Sequence, residues 1–388
     1  MRILVIIDYY LPGYRGGGSI RTVANLIDAL GDEFEFIVMT RDRDWRSPQP
    51  YERVPTGEWV RVGKARVRYL ASRDWSFRRL ARLIRSVPHD VLYLNSLFSP
   101  LATIRSLLLR RVGALPDTLL IVGPRGELAC GALGTRTMKK RAWLTFAKAF
   151  GLFRGVVWQA STPAESDDIR REIGPSAHIV EAIDCTPRYD DWPGNAPREA
   201  KVPGCARFCL VSRIAPVKNV EFALRLLHGT AGDIDFDLYG PIDDAEYWSR
   251  CEAVIATLPA NVRVANRGSV PHAELGPILA RYDLLLLPTL GENFGHTILE
   301  ALAAGCPVLV SDRTPWRQLQ SAGVGWDLPL EDAAAFRRAI GEIVSMPESA
   351  HAEMRRRARE FALRAADPAP AIEQNRSMFL GAVQRRSA

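Results

Sequence analysis

Two glutamates, Glu292 and Glu300, bracket the most chemically suggestive segment of this 388-residue chain, LLLLPTLGENFGHTILEALAAGCPVLVS at 284–311. An apolar run ends at Pro288, and a loop carries Gly291-Glu292-Asn293-Phe294-Gly295. The pattern predicts a helix from about His296 that Gly305 closes before the next apolar run. Unpaired N–H groups at that helix start, approached closely because Gly295 has no side chain, form a site for phosphate or sugar oxygens. Glu300 follows His296 by four residues, so both lie on one helix face. The two carboxylates can then project into one pocket and accept hydrogen bonds from vicinal hydroxyls, which a sugar and a ribose present in pairs.

A second group is LVSRIAPVKN at 210–219, where Arg213 leaves the end of an apolar run and Lys218 precedes a helix. Two cations at a strand end can hold a diphosphate and stabilise the charge of a departing one. A third is the glycine cluster 16–18, with Gly17 and Gly18, in a loop before a helix at 20–30. It lacks the spacing of the dinucleotide fingerprint, and its backbone suits close approach to a donor phosphate or to an acceptor. A fourth is VGPRGELACGALGTRTMKKR at 122–141, where Arg125 follows a strand and is expected to reach a cleft. Lys139, Lys140 and Arg141 begin a basic helix that suits an anionic acceptor, a membrane surface or plain solvation. No histidine pair stands at metal spacing and no Ser-His-Asp or Cys-His set emerges. Asp243-Asp244 reads as a helix cap, so no metal and no other cofactor is expected.

These residues need strand ends to hold them, and the pattern supplies strands in series. Ile3–Ile7 is a continuous apolar run, as in a parallel strand covered on both faces. A helix at 20–30 and a strand at 34–40 complete a first unit, followed by strands at 90–95, 118–123 and 155–161 with helices between. From 184 to 205 the pattern lapses into a proline-rich linker. Strands at 208–212, 236–240, 262–268, 283–288 and 307–311 then alternate with helices. The fold class is α/β, with two Rossmann-like doubly wound parallel-sheet domains facing a central cleft. The domains are 1–190 and 200–365, and a C-terminal helix at about 365–388 is expected to pack back on the first. The triplet Arg355-Arg356-Arg357 reads as a solvated face.

A chain this long suits two domains of ordinary size. Its composition, 47% hydrophobic and 24% charged, is that of a globular protein. No run reaches the roughly 18 to 20 apolar residues of a membrane span. The opening MRILVIIDYY reads as a buried strand rather than a secretion signal. Six scattered cysteines read as buried thiols of a reducing compartment. Residues 1–195 hold 29 Lys and Arg against 21 Asp and Glu, and residues 196–388 hold 22 against 23. The basic half is therefore the one expected to meet something anionic. A nucleic-acid partner is not expected, because no basic-aromatic motif accompanies the charge.

Taken together, the glycine loop at 16–18, Arg213 with Lys218-Asn219, and the E-x7-E element from Glu292 to Glu300 resemble glycosyltransferase family 4, retaining enzymes of GT-B architecture. The likeness spans most of the chain and is strongest over about 205–330. PRGEL with GAL at 124–133, YGP with YW at 239–248, and SDRTPW with GVGW at 311–326 look like a bacterial exopolysaccharide branch. The resemblance implies that Arg213 and Lys218 hold a donor diphosphate, Glu300 binds the ribose, and Glu292 binds the transferred sugar. It implies that Asn293, Phe294, Gly295, His296 and Thr297 contact sugar and phosphate, while Arg267 to Val270 flank the base. It further implies a metal-independent reaction in which the leaving phosphate assists acceptor deprotonation.

On this reading the partners are a UDP- or GDP-sugar, a saccharide acceptor that is lipid-linked, and an anionic membrane touched from the cytoplasmic side. One departure stands out. Where family members carry a histidine after a strand of the first domain, this chain has Asn95 and Arg125. Arginine is no base at neutral pH, so Arg125 either supports transition-state charge or the catalytic details differ. The competing readings are a nucleotide-sugar epimerase or hydrolase on the same fold, and a non-catalytic nucleotide-sugar-binding protein.

Overall fold

The computed structural model describes residues 1–387 except 130, 132, 134–136, 190, 191 and 193–197, with backbone only at 137 and 382–387. The chain divides into two compact units, Met1–Thr186 with Pro368–Ala388, and Pro187–Asp367.

In the first unit the strands are β1 (Arg2–Ile6), β2 (Glu35–Arg41), β3 (Trp59–Val62), β4 (Ala65–Leu70), β5 (Val91–Asn95), β6 (Leu119–Gly123), β7 (Val156–Ala160) and β8 (His178–Glu181). The helices between them are α1 (Gly18–Leu30), α2 (Phe77–Arg85), α3 (Arg105–Arg111), α4 (Thr137–Ala149) and α5 (Pro163–Ile173). The sheet order is β3-β4-β2-β1-β5-β6-β7-β8, parallel except for the β3–β4 hairpin. Central strands are apolar throughout because helices cover both faces: Leu4 of β1 sits opposite Ile37 of β2 and Leu92 of β5, all buried. Helix α5 starts as its sequence dictates. Thr162 accepts from the Glu165 amide at 3.1 Å, with Pro163 in the first turn.

The second unit repeats the plan with β9 (Cys205–Val211), β10 (Asp233–Tyr239), β11 (Val262–Gly268), β12 (Leu284–Leu287), β13 (Val308–Ser311) and β14 (Gly325–Leu328). Its helices are α6 (Val220–Leu226), α7 (Ala245–Ile255), α8 (His272–Leu279), α9 (His296–Ala303), α10 (Ala333–Ser345) and α11 (Glu348–Ala365). The order is β11-β10-β9-β12-β13-β14, all parallel. Strand order reverses between β9 and β12, so the loops leaving their carboxyl ends diverge and open a crevice there. In the first unit the reversal falls between β1 and β5.

The last helix, α12 (Pro368–Ser387), belongs to the first unit. Phe379 is buried edge-on against Phe34, Phe36 and Tyr93 at 5.7 to 6.1 Å.

Two smaller expectations need correction. Arg355 is buried, not solvated: its guanidinium donates to the carbonyls of Tyr282 and Ala280, each at 2.9 Å, capping the end of α8. Cys205 is exposed at the start of β9, whereas Cys185, Cys209, Cys251 and Cys306 are buried and Cys130 lies outside the described residues.

Candidate functional site

The crevice between β9 and β12 holds most of the residues singled out in the sequence. After β9 the chain passes Arg213 and makes one tight turn at Pro216–Lys218. Asn219 takes a left-handed conformation, φ 56°, which asparagine tolerates, and redirects the chain into α6. After β12, Thr289 and Leu290 bind back to the Val217 carbonyl at 3.0 and 2.8 Å, tying the two loops together. On the far side Glu292 donates its N–H to the Arg313 carbonyl at 3.1 Å. The loop that carries Glu292 is thus pinned from both flanks.

Held this way, the Lys218 ammonium meets Glu292 Oε1 at 2.6 Å. The pair is partly buried, so its attraction is screened less than that of an exposed pair. It places one cation and one carboxylate at the mouth of the crevice. Arg213 is held by Asp243 at 2.7 Å. Its neighbour Asp244 caps α7 by accepting from the Tyr247 amide at 2.9 Å.

Helix α9 opens at Gly295, whose φ of 81° suits glycine. A Cβ there would lie 3.1 Å from both Ile298 and the Trp316 indole nitrogen. That indole donates to the Phe294 carbonyl at 2.6 Å, and the Phe294 ring packs on Trp316 and His296. The first turn of α9, with His296 and Thr297, therefore presents its N–H end beside a braced loop. Asn293 lies in that loop, half-buried.

Glu300, one turn in, is buried, and one carboxylate oxygen meets His272 Nε2 at 2.8 Å. His272 opens α8 and lies against the Trp192 ring. Sequence reasoning missed His272, because its contact spans 28 residues and nothing local marks it. Arg267 is held by Asp237 at 3.0 Å, in a groove lined also by Arg207, Asp235, Arg263 and Tyr282 and by none of the other candidate residues.

Gly17 and Gly18 belong to the first unit, where Gly17 takes a positive φ of 79° and leads into α1. Arg125 also lies in that unit, its side chain 8% exposed and every donor used. It donates to Asn95 Oδ1 and Asp184 at 2.5 Å, to Ser161 and Gln159 at 2.9 Å, and to the Tyr93 hydroxyl. A buried cation is tolerated only when paired and bonded in this way, and that requirement fixes its place.

Two nearby carboxyls, Glu127 and Glu165, are pushed up by burial, partly offset by backbone N–H donors: Leu97 and Phe98 for Glu127, Ser161 and Gly126 for Glu165. Asp8, just beyond β1, was also missed. Burial raises its carboxyl against Ser99 and Arg41, and its Oδ1 has no hydrogen-bond partner among the described residues. Among the described residues no group of three His, Cys, Asp or Glu side chains gathers in a way that could hold a metal ion.

Comparison with known proteins follows the same division. A segment of 104 residues is 29% identical to the GtfA subunit of the UDP-N-acetylglucosamine–peptide N-acetylglucosaminyltransferase of Streptococcus pneumoniae. That segment is 26% of this chain, and the match spans only 20% of the relative's length. Among solved structures, HepE of Anabaena in complex with UDP and glucose aligns with a TM-score of 0.70 at 15% identity, over 98% of this chain and all of that one. WaaG, described as a glycosyltransferase involved in lipopolysaccharide biosynthesis, aligns at 0.64 and 14%, over 97% and 99%. At such identities the likeness is one of fold. Residues 196–362, which contain the whole β9–β12 crevice, match the family model described as Glycosyl transferases group 1, and the chain has the fold of GT-B glycosyltransferases.

Proposed function

We propose that this protein is a glycosyltransferase that moves a sugar from a UDP-sugar, or a GDP-sugar, to a saccharide acceptor. The observation that carries the reading is the Lys218–Glu292 pair beside the start of α9, at the strand reversal and inside the matched segment. UDP is the favoured nucleotide because HepE was solved with it and the GtfA relative is described as using a UDP-sugar.

In this site Lys218 exchanges Glu292 for a phosphate oxygen when the donor enters, and the α9 terminus supports the same diphosphate. Arg213 adds charge as the sugar–phosphate bond breaks. Glu292 then accepts hydrogen bonds from the sugar hydroxyls, and Glu300 from the ribose. The reaction retains configuration: the acceptor oxygen attacks the face the phosphate leaves, and its proton passes to the departing phosphate oxygen. No metal or other cofactor takes part. The acceptor is a lipid-linked saccharide of a surface polysaccharide, met at the cytoplasmic face of a membrane. WaaG's described role in lipopolysaccharide synthesis favours that setting.

The test is calorimetry with UDP, GDP and ADP, then turnover of the matching sugars with the anomeric product read by NMR, with and without EDTA. Binding of one diphosphate and transfer that survives EDTA are expected. A protein that binds none of them at millimolar concentration is not a nucleotide-sugar transferase. Hydrolysis as fast without acceptor as with it would make it a hydrolase instead.

A further inference from the structure

One stretch of the first unit combines exposed apolar side chains with an excess of cations. Between Asp90 and Glu165 the sequence has only two carboxylates, Asp117 and Glu127, against ten Lys and Arg. The carboxylate of Glu127 is buried in hydrogen bonds from Leu97, Phe98 and Ser96. The same stretch exposes large apolar side chains: Met138 at 87%, Phe146 at 41% and Phe150 at 57%, along and just beyond α4, and Val112 at 76% after α3. The two places adjoin, since Arg111 donates to the Phe150 carbonyl and Arg110 to the Arg154 carbonyl, each at 2.7 Å.

Helix α4 is anchored by buried Leu144 and Ala147. Its rings continue outward from Trp143 to Phe146 at 5.8 Å and on to Phe150 at 4.4 Å. At about 100° per residue, Met138, Ala142, Thr145, Phe146 and Ala149 fall within roughly a 100° arc. Arg141 and Lys148 flank that arc on one side and Lys139 on the other, all exposed. A soluble surface helix normally turns charge outward and apolar groups inward. Here apolar groups face outward as well, with cations at their edges.

We propose that the outer face of α4, with Val112 and Phe150, is a docking surface for an anionic lipid bilayer. Phe146, Phe150 and Met138 enter the boundary between headgroups and acyl chains. Lys139, Arg141 and Lys148 reach along it to lipid phosphates, as long cationic side chains do at interfaces. A second copy of this chain is a poor occupant, because a symmetric contact would set these cations against themselves. A soluble polyanion would use the cations but has no use for the exposed rings. The inference deepens the proposed function, resting on it for the lipid-linked acceptor, and names the face that brings the enzyme to it.

The experiment is sedimentation with vesicles of phosphatidylcholine, with and without phosphatidylglycerol, beside binding to soluble dextran sulfate. The full chain is compared with Phe146→Ser/Phe150→Ser and with Lys139→Glu/Arg141→Glu, and UDP binding and Tm are measured on the same preparations. Wild type is expected to partition onto the anionic vesicles, and each double variant at least about tenfold less, with unchanged Tm. The phenylalanine variant should keep any affinity for dextran sulfate. Partition equal to wild type in that variant, or wild-type binding to dextran sulfate but not to vesicles, overturns the proposal. Vesicle binding that follows these expectations in a protein that binds no UDP would leave the docking surface standing and remove the proposed function.

Discussion

Lys218 and Glu292 lie 74 residues apart in sequence and 2.6 Å apart in the fold, and what each does separately is testable. Lys218→Ala should weaken UDP binding at least tenfold, the equivalent of about 1.4 kcal/mol, because the charge-assisted bond to phosphate of the proposed function is lost. Glu292→Gln should leave UDP affinity within a few-fold but lower turnover by roughly a hundredfold, since in the proposed function its partner is the transferred sugar. Calorimetry and initial rates separate the two effects, and equal loss of binding in both variants would deny the division of roles. His272 holds one oxygen of buried Glu300. Wild type should prefer UDP to 2′-deoxy-UDP, and His272→Ala should shrink that preference by reducing UDP affinity alone. A preference untouched by His272→Ala would leave the imidazole without a part in ribose recognition.

At the scale of elements, the start of α9 depends on a backbone conformation that a side chain disturbs. Gly295→Ala must adopt φ 81° and place a methyl 3.1 Å from Trp316 and Ile298. A cost of about 1–3 kcal/mol in stability is expected, with weaker UDP binding as the loop shifts, read by denaturant unfolding and calorimetry. Arg125 binds together the ends of β5, β6 and β7 from within. Arg125→Met should cost about 3–5 kcal/mol by leaving Asp184 buried without its cation, while UDP affinity of the folded protein is retained. Loss of UDP binding at unchanged stability would return Arg125 to the site. The sequence alone led to the expectation that this arginine reaches a cleft, and only the fold reveals four acceptor side chains and a tyrosine hydroxyl closing around it.

For the whole molecule, the last helix is the long-range commitment of the chain. Its Phe379 is buried among rings contributed by residues 34, 36 and 93. Phe379→Ala should cost about 3–5 kcal/mol, seen in calorimetry as a lowered transition. If the thermal trace does not move, this packing contributes little to holding the first unit together.

Much of this architecture was legible from local pattern. Continuous apolar runs such as Ile3–Ile6, Leu120–Val122 and Leu284–Leu287 are central parallel strands, because only strands covered on both faces are apolar at every residue. The start of α9 at Gly295-His296 and the cap of α7 at Asp244 are equally local, written in one residue's backbone freedom or side-chain reach. The half-exposed elements were harder. Strand β4 alternates buried Val67 and Tyr69 with outward Arg66 and Arg68, and β3 is only half-buried, so neither stands out as a run. Sequence by itself therefore determined the α/β class and the two loops that meet at the crevice. Tertiary structure decided which charges pair, Lys218 with Glu292, Arg213 with Asp243 and Arg267 with Asp237, and that the His272 imidazole meets Glu300. Strand and helix depend on the order of neighbours along the chain, whereas a charge's partner depends on which distant segments the sheet brings within a few ångströms.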